Sequence, residues 1–189
     1  MLNIARKTTT ANNYVHSGMW KNPTDPYIAF RGSEIKGKKM GLLGMGAIGQ
    51  EIAELMHNLG MEIVAHDPYL KTVPKNVVLL NMDDLLTTSD FLATVAPLNQ
   101  ETIGLLDGKR LSQMKKGSAI ITVSGVSIVD QNALVESINS GHLSGAAIDV
   151  FDTHPIAPDS PLFQSRDLLL TPHIAGATHE TIDLSLIHI

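Results

Sequence analysis

The stretch Gly44-Met45-Gly46-Ala47-Ile48-Gly49 decides the fold that this sequence predicts. It follows a short apolar run, Met40 to Leu43, and opens a segment whose apolar residues recur at helical spacing as far as Leu59. In a strand, glycine turn and helix of this kind, the first glycine permits the turn and the second lets a pyrophosphate approach the backbone, while the third allows close packing. The phosphates then bind the free N–H groups of the helix N-terminus. Taken alone, the glycines also fit an ordinary strand-to-helix turn.

A second strand and an acidic residue follow in the order that a dinucleotide-binding unit requires. Gly60 is placed to end the helix, Glu62 to His66 has a strand pattern, and Asp67 comes directly after it. A carboxylate at this position binds the adenosine ribose hydroxyls of NAD, and it would repel the 2′-phosphate of NADP. The nearest cation, Lys71, is expected to face solvent. The sequence therefore predicts NAD as the cofactor.

Composition excludes several other classes of protein. The chain has 189 residues, is 43% hydrophobic and carries 17% charged residues, a balance typical of a globular fold with one core. The net charge of -5 and the shortness of the one basic run, Lys36-Gly37-Lys38-Lys39, argue against nucleic acid or an anionic membrane as a partner. We interpret that run as the solvated approach to a strand.

Cysteine is absent and the eight histidines do not cluster, so neither a disulfide framework nor a metal site is expected. No apolar run approaches the roughly 18 residues that a membrane span needs. These features together favour a cytoplasmic protein that does not enter a membrane.

Strand and helix patterns alternate along the rest of the chain. This alternation predicts an α/β fold with a doubly wound parallel sheet, the Rossmann type of dinucleotide-binding domain. We expect strands at 39–44, 61–66, 76–80, 91–95, 118–123, 146–151 and 168–171, and helices at 47–59, 83–88, 107–114 and 130–138.

The two ends of the chain differ from this pattern. Residues 2–19 predict one helix with a single buried stripe, and residues 21–36 predict an extended arm. The last six residues, 184–189, match the translation of a transposon-end sequencing adaptor and are left out of the fold prediction. We therefore expect a chain cut at both ends.

Several motifs in one order resemble the D-isomer-specific 2-hydroxyacid dehydrogenases, which include phosphoglycerate dehydrogenase. The motifs are Gly44 to Gly49, Asp67-Pro68-Tyr69, Pro97 to Thr102, Met114 to Gly117, Gly145 to Phe151 and Thr171 to Gly176. The resemblance covers residues 1–183 and implies a nucleotide domain inserted into a substrate domain. It implies an inter-domain helix and dimer arm at 1–36, the dinucleotide-binding domain at 37–172, and at 173–183 a helix returning to a substrate domain that is mostly missing.

The resemblance also implies roles for individual residues. Ala47 and Ile48 would offer N–H groups to the pyrophosphate, Asp149 would hold the nicotinamide carboxamide, and His173 would be the general acid and base. The alternative for Asp149 is a buried acid whose hydrogen bonds are satisfied within the protein. The remaining positions expected beside the cofactor are Gly44, Gly46, Gly49, Asp67, Pro97, Thr102, Val123, Ser124, Gly125, Ala175 and Gly176.

Two positions depart from the family pattern. Gly125 stands where the family has an arginine that grips the substrate, and His154 stands where it has the glutamate partner of the histidine. Asp152 is a candidate to replace that glutamate. The first hypothesis is an NAD-dependent oxidoreductase that acts on the CH–OH group of a small 2-hydroxy acid-like substrate and forms a homodimer. The alternative is a catalytically silent NAD-binding sensor or scaffold.

Overall fold

Seven strands form one sheet in the computed structural model, which describes residues 1–179 and Thr181. The strands are β1 (Lys39–Leu43), β2 (Glu62–His66), β3 (Val77–Leu79), β4 (Phe91–Thr94), β5 (Ala119–Thr122), β6 (Gly145–Ile148) and β7 (Leu168–Leu170). Their spatial order is β3-β2-β1-β4-β5-β6-β7, and every neighbouring pair is parallel. The chain order reverses at β1, so a crevice opens between the carboxyl ends of β1 and β4. The predicted doubly wound parallel sheet is confirmed.

Helices cover both faces of the sheet. They are α1 (Leu2–Ala5), α2 (Thr8–His16), α3 (Asp25–Ala29), α4 (Ala47–Asn58), α5 (Met82–Thr88), α6 (Gly108–Gln113) and α7 (Gln131–Asn139). Successive side chains of a strand point to opposite faces. Leu42 therefore lies in the core shared with α1 and α4, whereas Leu43 lies in the core shared with α5, α6 and α7.

The helices differ in how they begin. Asn81, Asp107 and Asp130 cap α5, α6 and α7, and each side chain accepts a hydrogen bond from a backbone N–H of the first turn. The N-cap of helix α4 is Gly46, which has no side chain to offer. Its first N–H groups are therefore left for another acceptor, as a phosphate-binding helix requires.

The prediction of one helix over residues 2–19 is wrong. The chain forms α1 and α2, separated by Lys7 in a left-handed conformation with φ of 51°. The reason is a tertiary contact, because the carbonyl of Ala5 accepts the N–H of Ser33 at 2.7 Å. Gly32 fits against Ala5 so closely that a Cβ there would lie 2.4 Å from the same oxygen. The contact that ends α1 thus comes from a distant segment.

The predicted extended arm contains a short helix, α3, with Pro26 in its first turn, where proline needs no N–H partner. Between residues 38 and 171 the predicted strands and helices are all present, with ends shifted by a few residues, and two 3-10 helices, Val126–Ile128 and Pro161–Gln164, were not predicted. Residues 184–189 and part of the predicted helix at 173–183 lie outside the described residues. Thr178 Oγ accepts the N–H of Thr181 at 3.1 Å, a hydrogen bond typical of a helix start.

Candidate functional site

The three glycines of the first turn occupy different environments. Gly44 has φ of +100°, and a Cβ on it would lie 2.7 Å from the N of Ala96. A Cβ on Gly49 would lie 2.7 Å from the carbonyl of Gly44. A Cβ on Gly46 would meet nothing within 4 Å. The turn is therefore closed to side chains at the first and third glycines and open to solvent at the second.

The open side of the turn carries unused hydrogen-bond donors. Gly46, Ala47 and Ile48 are exposed. The first hydrogen bond along α4 joins the N–H of Gln50 to the carbonyl of Gly46 at 3.0 Å. Within the described residues, the N–H groups of Ala47, Ile48 and Gly49 have no acceptor. Backbone donors at a helix start with space in front of them fit a pyrophosphate.

Asp67 lies beside this turn at the end of β2. Its Oδ2 accepts the N–H of Met45 at 3.0 Å, and its Oδ1 accepts the N–H of Tyr69 at 3.0 Å. The carboxylate therefore links the glycine turn to the loop after β2. An ionised carboxylate can accept about four hydrogen bonds, so lone pairs remain for ribose hydroxyls. Lys71 is exposed, as expected.

The loop after β4 forms the other wall of the crevice. At the start of this loop, the N–H groups of Val95 and Ala96 both donate to the carbonyl of Leu43. Thr102 Oγ lies 2.7 Å from the carbonyl of Pro97 and accepts the N–H of Asn99 at 2.8 Å. The two residues expected at the adenosine side, Pro97 and Thr102, are therefore in one loop, and the threonine hydroxyl holds the shape of that loop.

The segment after β5 brings Val123, Ser124 and Gly125 to the same edge. Ser124 Oγ donates to the carbonyl of Thr94 at 3.1 Å and so ties this segment to β4. Gly125 has φ of +138°, and a Cβ on it would lie 3.3 Å from Leu98 Cδ2. A side chain at this position is strained in the observed backbone. The glycine at the family's arginine position is therefore part of the local structure.

Asp149 is 5% exposed and lies just after β6. Its carboxylate accepts Thr171 Oγ at 2.5 Å, the N–H of Ile174 at 3.0 Å and the N–H of Ala175 at 2.8 Å. Burial by itself raises the pKa of Asp149, but these three hydrogen bonds and the nearby His173 outweigh it and lower the pKa. The carboxylate is thus ionised and holds the segment that follows β7.

His173 lies on the segment that Asp149 holds. Its N–H donates to the carbonyl of Asp149 at 2.9 Å, and its φ of 56° places it in the left-handed region. The imidazole faces that of His154, with ring centroids 5.0 Å apart and planes inclined by 36°. Phe151 stands edge-on to His154 at 6.3 Å. Both histidines are exposed, so a ligand in the crevice can reach them.

Asp152 does not replace the carboxylate that the family pattern places next to the histidine. Its Oδ1 accepts Ser127 Oγ at 2.5 Å, and its Oδ2 accepts Gln131 Nε2 at 3.1 Å. The side chain thus joins the loop after β6 to the start of α7. Within the described residues, no carboxylate accepts a hydrogen bond from the His173 ring, and His154 is the titratable side chain that stacks on it.

The expected site residues meet along one edge of the sheet, from the glycine turn after β1 to His173 after β7. Ala175 and Gly176 continue from His173, and Ala175 is held by Asp149. The sequence reasoning missed two contributors, Met45 as a donor to Asp67 and Thr171 as a donor to Asp149. The position of Thr171, directly before Pro172 and His173, could have indicated that its hydroxyl contributes to the site. The donor role of Met45 is a backbone property and left no signal.

A parallel sheet in this order, with a glycine turn that leaves backbone donors free, defines a dinucleotide-binding Rossmann domain. Comparison with known proteins identifies the family. The family model described as "D-isomer specific 2-hydroxyacid dehydrogenase, NAD binding domain" matches residues 1–175. The chain therefore belongs to the D-isomer-specific 2-hydroxyacid dehydrogenases, and its cofactor is NAD.

Individual relatives agree with this assignment. The chain is 35% identical to a glyoxylate reductase of Thermofilum pendens, across 95% of this chain and 54% of that protein. It is 36% identical to a D-3-phosphoglycerate dehydrogenase of Mycobacterium bovis, across 97% of this chain and 34% of that protein. An NAD-dependent formate dehydrogenase from Staphylococcus aureus, solved in complex with NAD, has a TM-score of 0.87 at 30% identity, across 96% of this chain and 54% of that one. The chain thus spans between a third and just over half the length of these relatives.

Neither a membrane-spanning helix nor a metal-binding cluster of side chains is found in the described residues. Within residues 1–179 and Thr181, no helix is long and apolar enough to cross a membrane. The same residues contain no group of three or more histidine, aspartate or glutamate side chains that could hold a metal ion.

Proposed function

We propose that the whole protein is an NAD-dependent oxidoreductase that interconverts a 2-hydroxy acid-like substrate and the corresponding 2-oxo acid. When bound, NADH would donate the hydride to C2 of the 2-oxo acid, and NAD⁺ would accept it from C2 of the 2-hydroxy acid. The residues of this chain bind the cofactor, orient it and move the proton. The observation that carries the proposal is the network of Asp149, which holds His173 at the carboxyl edge of the sheet.

His173 is the proposed general acid and base. Its main chain is held by the Asp149 carbonyl, and the next two N–H groups are held by the Asp149 carboxylate. A histidine fixed in this way can present one ring nitrogen to the substrate oxygen. The second imidazole, His154, packs against His173 and is proposed to orient its ring in place of a carboxylate.

The cofactor roles follow the geometry along the same edge. We propose that Ala47 and Ile48 bind the pyrophosphate and that Asp67 binds the adenosine ribose. Asp149 has three of its roughly four acceptor positions occupied, so at most one remains for the nicotinamide carboxamide. Its main proposed role is therefore to position His173 rather than to hold the carboxamide alone.

The test compares the whole protein with its His173→Ala variant in NADH oxidation assays over a panel of 2-oxo acids. Removal of a positioned general acid should lower turnover by about 100-fold or more. NADH affinity should change little, because the pyrophosphate and ribose contacts lie on other elements. Full turnover in the variant would show that the assigned mechanism is wrong.

A catalytically silent NAD-binding module is the second candidate. One observation in its favour is Gly125, which offers no cation to a substrate carboxylate. Another is that, within the described residues, no carboxylate accepts a hydrogen bond from the His173 ring. This candidate predicts normal NADH binding with no turnover of any 2-oxo acid. The same assay panel, run beside an NADH titration, separates the two.

The structure also bears on how activity could be increased. An arginine in place of Gly125 would need the backbone to leave its φ of +138° and Leu98 to move. The double change Gly125→Arg with His154→Glu, which the family pattern favours, is therefore expected to destabilise this segment. We propose instead that the substrate is anchored by residues beyond this chain.

A further inference from the structure

A hydrogen bond joins two loops that stand on opposite sides of the glycine turn. The hydroxyl of Tyr69 donates to the carboxylate of Glu101. Tyr69 lies in the loop after β2 and Glu101 lies in the loop after β4, and these two strands are the neighbours of β1 in the sheet. Since the glycine turn continues directly from β1, the bridge joins the two loops that flank this turn.

Each side of this bridge is anchored. The N–H of Tyr69 donates to Asp67 Oδ1, and Asp67 Oδ2 accepts the N–H of Met45 in the glycine turn. On the other side, the N–H of Glu101 donates to Asn99 Oδ1 at 2.8 Å. The hydrogen bond between Tyr69 and Glu101 therefore connects two loops that are each held by their own hydrogen bonds.

The chemistry of the pair suits a persistent contact. The hydrogen bond to Glu101 is the main cause that raises the pKa of Tyr69, so the phenol stays protonated and able to donate at neutral pH. The ring itself is 75% exposed. Nearby segments carry further exposed apolar groups, Ile48 in the glycine turn and Leu98 in the loop after β4. A crevice with apolar walls and a few polar groups suits a flat base such as adenine.

We propose that Tyr69 and Glu101 form a strap across the adenosine half of bound NAD and slow its release. The loops part to admit the cofactor, and the strap re-forms over it once Asp67 has engaged the ribose. This inference rests on the proposed ribose contact of Asp67. Both residues act by holding the loops, so they are positioning residues rather than catalytic ones.

The experiment measures NADH release from the 189-residue chain by stopped flow, with excess NAD to trap the free sites. Tyr69→Phe removes the donor and keeps the ring, and Glu101→Ala removes the acceptor. Each should raise the release rate about three- to tenfold, the range expected for the net contribution of one solvent-exposed hydrogen bond. Because both variants break the same contact, the double variant should be no faster than either single one. Glu101→Gln, which keeps an acceptor, should fall between wild type and Glu101→Ala.

Three controls separate the strap from a general loss of structure. Glu136→Ala changes an exposed glutamate of α7 that has no side-chain hydrogen bond or ion pair in the described part of the chain, and it should leave release unchanged. The thermal midpoint of the strap variants should stay near that of wild type. ADP-ribose should bind the variants more weakly, whereas nicotinamide mononucleotide, which lacks adenosine, should bind as before.

Three outcomes would overturn the strap. The first is an unchanged release rate in both single variants. The second is a double variant whose fold-increase in release rate equals the product of the two single increases. The third is tighter NADH binding in Tyr69→Phe, which would mean that the bridge obstructs entry. Failure of the proposed function is a different result. It would appear as absent turnover in the whole protein while NADH still binds and these rates still change.

Discussion

At the scale of single residues, we expect the charge of Asp67 at the end of β2 to select NAD over NADP. Asp67 is half-buried and held by two backbone N–H groups, so it cannot turn away from an approaching phosphate. Two like charges at about 4 Å repel by roughly 1–4 kcal/mol, depending on exposure to water. We expect NAD to bind at least about tenfold more tightly than NADP in parallel titrations. Asp67→Ser should narrow the difference, and tighter binding of NADP to the wild type would refute the assignment.

A second residue, Asp149, links stability to pH. Asp149→Asn places an amide where three donors need an acceptor, and the free energy of unfolding should fall by about 2–4 kcal/mol. Asp159→Asn, at an exposed aspartate with no side-chain hydrogen bond in the described residues, is the matched control and should change little. Urea unfolding at pH 7 measures both.

The sign of the pH effect follows from the direction of the shift. The pKa of Asp149 is lower in the folded protein than its ordinary value of 3.8, so its stabilisation is fully present above that value. It is lost as pH falls further, through the folded pKa. The unfolding free energy of Asp149→Asn should therefore depend less on pH in this acid range than that of the wild type. Parallel pH curves for the two proteins would contradict the assignment.

At the scale of elements, the glycine turn separates stability from binding within one motif. Gly49→Ala would put a Cβ 2.7 Å from the carbonyl of Gly44, so α4 and β1 would have to move apart. We expect a loss of about 1–3 kcal/mol in the free energy of unfolding, as overpacking costs elsewhere. Gly46→Ala meets no protein atom, and its stability should stay near that of the wild type.

NADH affinity should show the opposite pattern, with the larger loss in Gly46→Ala. A methyl group on Gly46 projects into the space in front of the free N–H groups, so NADH affinity should fall about tenfold or more. Denaturation and NADH titration of the two variants together make the test. Unchanged affinity in Gly46→Ala would mean that the pyrophosphate does not approach here. Equal loss of stability in both variants would contradict the difference in packing between the two glycines.

At the scale of the whole molecule, residues 14–30, from α2 to α3, expose an apolar surface that we expect to contact a partner. Val15, Met19, Trp20 and Tyr27 are each more than half exposed, whereas Tyr14 and Phe30 pack edge-on against each other at 5.2 Å. Apolar surface on this scale marks an interaction site, and a two-fold dimer is the commonest assembly. The alternative is that this surface covers the rest of a longer protein.

Light scattering of the whole protein distinguishes these two possibilities. We expect twice the monomer mass, and a change of both Trp20 and Tyr27 to aspartate should give a monomer that still binds NADH. The binding site lies on other elements, so its affinity serves as the control for correct folding. A wild-type monomer at micromolar concentration would exclude the dimer.

The local pattern of residues by itself determined the order of strands and helices between residues 38 and 171. Each of these elements has its own period of apolar residues and its own glycine or acidic boundary, and such signals act within a few residues. The same pattern placed the glycine turn, Asp67 and His173 at strand ends, and parallel strands bring all their carboxyl ends to one edge. Asp149 lay inside the predicted strand at 146–151, and the structure places it at that edge because β6 ends at Ile148. The family motifs added the residue types to expect there.

Only the tertiary structure decided what depends on contacts between distant segments. Helix α1 ends because Ser33, far along the chain, takes the carbonyl of Ala5. Asp152 binds Ser127 and Gln131 rather than His173, and Tyr69 meets Glu101 across the crevice. Neither choice has a local signal, because a carboxylate takes whichever donors the packed elements bring within about 3 Å. For that reason the succession of strands and helices along the chain was predictable from residue periods, whereas the partner of each site carboxylate was not.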